Sequence, residues 1–86
     1  MINMATLVGK VREIYEDHID LGITINFDTK DEMLVPIYMN EEFISHLLLN
    51  NVCGVQCKII MENELIKLIC HKLTVLDARG KENDGN

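Results

Sequence analysis

The stretch Ile19-Asp20-Leu21-Gly22-Ile23-Thr24-Ile25-Asn26-Phe27-Asp28 alternates apolar and polar residues without a break. A period of two places Ile19, Leu21, Ile23, Ile25 and Phe27 on one face of an extended chain, which predicts a strand with one buried and one wetted side. Upstream, Glu16-Asp17-His18 is short enough for a hairpin. Residues 5–15 carry Leu7, Gly9 and Val11 on one parity and Lys10 and Arg12 on the other, a second half-buried strand paired antiparallel with the first.

Downstream, the polar run Asp28-Thr29-Lys30-Asp31-Glu32 turns the chain into a third strand, in which Met33, Val35, Ile37 and Met39 alternate with Leu34, Pro36 and Tyr38. Pro36 has no N–H for a ladder, so this strand is expected to be edge-like or bulged. Asn40 is a good helix N-cap, Glu41 and Glu42 suit the first turn, and Phe43, Ile44, Leu47 and Leu48 recur at helical spacing. A short helix over 41–49 follows. From Val52 the strand pattern resumes, Glu62-Asn63-Glu64 reads as a tight hairpin, and 65–76 is a long strand apolar on both parities, as for burial on two sides.

Three strands, a helix and two strands is the element order of the OB fold, an all-β, five-stranded Greek-key barrel with one short helix between strands 3 and 4. A small mixed α+β sheet is the other architecture compatible with this order. The 86 residues, 48% hydrophobic and 26% charged, suffice for one domain over 1–77, with 78–86 a disordered polar tail. No apolar run approaches the ~18 residues of a membrane span. The start of the chain lacks the features of an export signal, and three cysteines, Cys53, Cys57 and Cys70, are an odd number, so a reducing cytoplasm is the expected location.

The residues also carry a resemblance. Asn3-Met4-Ala5-Thr6-Leu7-Val8-Gly9-Lys10-Val11 resembles the opening of bacterial and phage single-stranded DNA-binding proteins. Leu34-Val35-Pro36-Ile37 looks like that family's third strand, Gly54-Val55-Gln56-Cys57-Lys58-Ile59 like its glycine-led fourth, and Leu73-Thr74-Val75-Leu76-Asp77 like its last. The match runs from about residue 3 to 77 in order and spacing. It departs where the family has longer hairpin loops, tryptophan or phenylalanine platforms and an acidic tail that recruits partners. A short tailless relative, similar to primosomal replication proteins, is what the resemblance implies, with single-stranded DNA as ligand.

Barrels of this kind stack bases on aromatic rings while cations follow the phosphates. Of the four aromatics, Phe27 by parity and Phe43 by its place on the helix stripe read as core, while Tyr38, and more weakly Tyr15, is left either as a platform or as a ring covering barrel or dimer surface. The net charge of −6 argues against an indiscriminate polyanion coat, but the tail from Ala78 sums to zero and most body acids flank turns. Cations favour strands: Lys10, Arg12 and Lys58 are expected to form one basic stripe beside Tyr38, unless they are only guards against edge pairing. The candidate nucleic-acid-binding residues are therefore Lys10, Arg12, Tyr38 and Lys58.

His18, His46 and His71 are scattered, no Ser/His/Asp or Cys/His spacing stands out, and no CxxC pair supports a metal, so no catalytic residue, metal or cofactor is expected. Two readings remain. The first is a non-catalytic single-stranded DNA-binding protein of replication, recombination or mobile-element processing, binding weakly and with steep salt dependence. It would act as a homodimer or homotetramer that covers Val8, Ile14, Leu34 and Ile60, with a replication protein as a further possible partner. The second is an OB-fold protein-interaction module without nucleic-acid binding, favoured by acid-lined loops and few aromatics.

Overall fold

In the computed structural model, which describes residues 3–76, β1 (Met4–Ile14) hydrogen-bonds to two strands in succession. From Met4 to Lys10 it pairs antiparallel with β4 (Val52–Glu62), and from Lys10 to Ile14 with β2 (His18–Asn26). The handover is made possible by Gly9, where an added Cβ would run into the carbonyl oxygen of Gly22 on the neighbouring strand. Beyond the handover, the loop after the helix joins β1: the Val11 N–H donates to the Asn51 carbonyl (2.9 Å) and the Asn50 N–H to the Val11 carbonyl (2.7 Å).

β2 pairs antiparallel with β3 (Asp31–Tyr38), and β4 with β5 (Leu65–Val75). A single parallel register pair, Tyr38 with Ile69, joins β3 to β5 and closes the barrel in the order β1-β2-β3-β5-β4. With the short α1 (Glu41–Ser45) between β3 and β4, this is the OB fold. Along residues 31–37 β3 is hydrogen-bonded only to β2, which is how Pro36 is accommodated without a ladder N–H. The tail expected from residue 78 lies outside the described residues.

The core holds Val11, Ile19, Leu21, Ile37, Met39, Leu47, Val55 and three thiols, Cys53, Cys57 and Cys70. Burial pushes Cys53 and Cys57 up to about 11, so they behave as small protonated hydrophobes. Helix α1 follows β3 and starts at the cap residue Asn40. Asn40 Oδ1 accepts from the Phe43 N–H (2.8 Å), and Phe43 and Ile44 pack against the core.

Three register shifts correct the parity reading. In β1 the residues Arg12 and Glu13 together face Asp20, so Ile14 turns inward against the core and is not an exposed contact residue. In β2 an extra residue, Ile25, sits between the Thr24–Glu32 and Asn26–Asp31 pairs. The parity therefore slips, and Phe27, expected in the core, is 83% exposed. In β5 the extra residue His71 swaps the inward set from Leu68 and Cys70 to Leu73, which explains why both parities look apolar. The strand is not buried on two sides: Leu65 and Ile66 lie in the open.

The helix is also shorter than its apolar pattern. The His46 and Leu47 N–H groups bond three residues back, to Phe43 and Ile44. Asn51 Oδ1 then takes the Leu48 N–H at 2.8 Å, so the helical ladder ends and Leu48 and Leu49 face solvent.

The β4–β5 turn is formed by Asn63 (φ 53°) and Glu64 (φ 66°), both left-handed, as a two-residue hairpin with a type I′ twist requires. Asn tolerates this conformation; Glu does so at a cost of roughly 1–2 kcal/mol. Glu64→Gly is expected to stabilise the protein by about 1 kcal/mol in urea unfolding. Gly9→Ala should destabilise it by about 2 kcal/mol or more, because the added methyl meets backbone and not a yielding side chain.

Candidate functional site

Gly22 on β2 has no side chain to stand between its neighbours, and an ion pair crosses over it. A Cβ at Gly22 would lie 2.5 Å from Glu32 Oε1 and 3.0 Å from Arg12 Cγ. Through that space Arg12 of β1 reaches Glu32 of β3, donating from Nε (3.0 Å) and from a terminal nitrogen (2.6 Å), while its other terminal nitrogen donates to Asn50 Oδ1 at 2.8 Å. The bidentate bond raises the Arg12 pKa and holds Glu32 below the usual carboxylate range. Arg12 is thus a clasp joining β1, β3 and the post-helix loop.

The clasp forms one wall of a groove of about 600 Å³ between the outer faces of β1 and β2. Its apolar surface comes from Val8, Gly9, Gly22, Ile23, Val52 and the exposed Phe27 ring. Lys10 and Lys30 border it, and neither makes an ion pair among the described residues. Because the charge of Glu32 is matched by Arg12, the lining of the groove keeps an excess of two positive charges, Lys10 and Lys30, in a chain of net charge −6. Lys30 has φ 63°, set by the turn in which its N–H donates to the Asn26 carbonyl and Asn26 Oδ1 accepts from the Asp28 and Thr29 N–H groups.

A second patch lies in one cross-strand row, Lys58–Ile69–Tyr38–His18. Tyr15 stacks on His18 (ring centroids 4.3 Å) and His18 on Tyr38 (4.8 Å), and the Lys67 ammonium sits 4.3 Å from the Tyr38 centroid. Acids surround it: Asp17 Oδ1 is 2.7 Å from His18 Nδ1, Glu62 Oε1 accepts from Lys67 at 3.1 Å, and the Tyr15 hydroxyl donates to Asp20 at 3.3 Å. The charge of Asp20 raises the Tyr15 pKa, and the bond to Glu62 raises that of Lys67.

The four residues singled out by sequence therefore fall into two groups. Lys10 and Arg12 line the groove, whereas Lys58 and Tyr38 share the row. Lys58 is paired with Met4, six residues from Lys10 along β1 or about 20 Å, so no single stripe forms. Sequence reading missed Phe27, Lys30, His18 and Lys67. Phe27 and Lys30 flank the Asp28-Thr29 turn, a signal that could have placed them together, whereas nothing local announced the ring ladder. Among the described residues no group of three His, Cys, Asp or Glu side chains is arranged to hold a metal.

No protein-family model matches the chain, and no curated protein matches it. Solved structures do share its fold. Rim1, a mitochondrial single-stranded DNA-binding protein from S. cerevisiae, is similar with a TM-score of 0.74 at 9% identity, over 88% of this chain and 96% of that one. The dimeric N-terminal domain of PriB from Thermoanaerobacter tencongensis gives 0.70 at 15% identity, over 86% and 96%. A chain of the S. pombe Stn1–Ten1 complex gives 0.62 at 18%, over 96% of this chain and 65% of that one. The likeness is one of fold and is not confined to bacterial proteins.

The clasp sets a pH dependence. The folded-state pKa of Glu32 is lowered, so its contribution to stability is present above the unfolded carboxylate value of about 4 and fades as pH falls through the lower folded value. Glu32→Gln should be less stable than wild type at neutral pH, with the gap narrowing in acid, as read by urea unfolding across pH.

Proposed function

We propose that this protein binds single-stranded DNA without catalysis, with the strand lying in the β1–β2 groove. The observation that carries the reading is the groove itself: two unpaired lysines and an exposed aromatic ring beside an apolar floor, in a chain otherwise dominated by acids. Lys10 and Lys30 would meet phosphates and Phe27 would take a base on its open face, the combination by which OB folds hold unpaired strands. Arg12 shapes the groove wall, its three donor contacts being satisfied within the fold. Tyr38 and Lys58, with Lys67, are the second and smaller contact, reached along the outer face of β2 from Gly22 to His18.

That Rim1 is a single-stranded DNA-binding protein supports the reading, as does the resemblance of residues 3–77 to that family. Replication, recombination or mobile-element DNA processing is the corresponding setting, with a replication protein as a partner and a homodimer or homotetramer as the working form. A reducing compartment such as the cytoplasm suits three free thiols.

Titration of labelled oligo-dT tests the proposal. Binding is expected at low salt, with log affinity falling against log salt at a slope of about −1.5 to −3, from two to four phosphate contacts at roughly −0.7 each. Lys10→Glu and Lys30→Glu should each weaken it, and Phe27→Ala should cost about 1–3 kcal/mol of binding. Absence of binding at low salt by the folded protein would leave the protein-interaction module as the function.

A further inference from the structure

The β4–β5 hairpin extends past the barrel. Met4 pairs with Lys58 and the Asn3 carbonyl accepts from the Ile59 N–H, but among the described residues β1 offers Ile60, Met61 and Glu62 no partner. The ladder between β5 and β3 is confined to the Ile69–Tyr38 pair, so the backbone of 65–68 pairs with β4 alone, and only the Lys67 side chain reaches back to the Tyr38 ring among the described residues. Ile59 and Leu68 lie on the face that turns toward the core, and Met61 and Ile66, paired with each other, continue that face beyond the barrel. They are 71% and 69% exposed, an apolar face that no described residue covers.

The tip is acidic. Glu62 is matched by Lys67, while Glu64 makes no ion pair among the described residues. Glu64 also occupies a left-handed position that Gly would fill without strain, so the chain places a carboxylate at the apex against local preference.

The β1–β2 groove has the complementary character, with an apolar floor and the free ammonium groups of Lys10 and Lys30. Within one molecule the two do not meet: Val52 lines the groove and Glu62 ends the same strand ten residues away, about 33 Å.

We infer that the β4–β5 hairpin of one copy seats in the β1–β2 groove of a second copy, with Met61 and Ile66 on the apolar floor and Glu64 against Lys30 and Lys10. The contact joins two different surfaces, so it closes either by reciprocal exchange in a dimer or around a ring. This gives the self-association a defined surface, and it stands on the groove and the hairpin whether or not nucleic acid binds. If the groove also takes a DNA strand, strand and hairpin compete, so oligo-dT displaces the hairpin contact, and a DNA-bound homodimer or homotetramer would be held by other surfaces.

Sedimentation velocity of the full chain over a concentration series, without nucleic acid, tests it. Mass is expected to rise above the monomer. Ile66→Gln, Glu64→Lys and Lys30→Glu should each weaken association roughly tenfold or more, and Glu64→Lys combined with Lys30→Glu should recover most of the loss. A wild type that stays monomeric throughout, an association unmoved by the three single changes, or a charge swap that restores nothing would each overturn the inference. Circular dichroism of every variant confirms the fold, and oligo-dT titration of the same samples scores the nucleic-acid reading separately.

Discussion

The barrel depends on the close approach of β1 to β2 at Gly9. With a side chain there, the strand could not press against the Gly22 carbonyl, coil, and pass from β4 to β2 within a few residues. A β1 that kept one partner would leave an open sheet with two edges, because β3 and β5 share the single register pair Tyr38–Ile69. A second glycine extends the same logic outward. Gly22 leaves the space through which Arg12 and Glu32 join β1 to β3, so one pair of small residues shapes both the closure and the groove above it.

The electrostatics follow from that clasp. Counted along the chain, acids exceed cations by six, and a polyanion looks like a poor partner. Counted by contact, Glu32 is matched by Arg12 and Glu62 by Lys67, while Lys10 and Lys30 make no ion pair among the described residues and border an apolar floor. What matters for binding is which charges are left without partners in one place, and the net charge does not report this. The groove is thus locally positive in an acidic protein.

The succession of strands along the chain and the polar-face positions of Lys10 and Arg12 were legible in the period-two pattern, because alternation reports burial wherever a strand stays in register. The helix between β3 and β4 was legible in the Asn40 cap and its helical spacing. Phe27 was misread as core and Ile14 as surface for the same reason in opposite directions: an extra residue slips the parity, and a bulge leaves no mark in composition. Leu48 was misread because the Asn51 side chain ends the helix from three residues downstream. The single stripe of Lys10, Arg12, Lys58 and Tyr38 failed on register, since neighbouring strands say nothing about which residues face each other.

The sequence by itself determined the element order and the inward and outward faces wherever a strand stays in register, since these rest on local alternation, caps and turns that each residue carries with it. Closure of the sheet into a barrel rests instead on the distant Tyr38–Ile69 pair. Only the tertiary structure decided which cations are free, which ring is open and which apolar face is uncovered. Those depend on contacts between residues far apart in the chain, Arg12 with Glu32 and Asn50, Tyr38 with Lys67, Lys58 with Met4, and on bulges that reset a face after the pattern has been read.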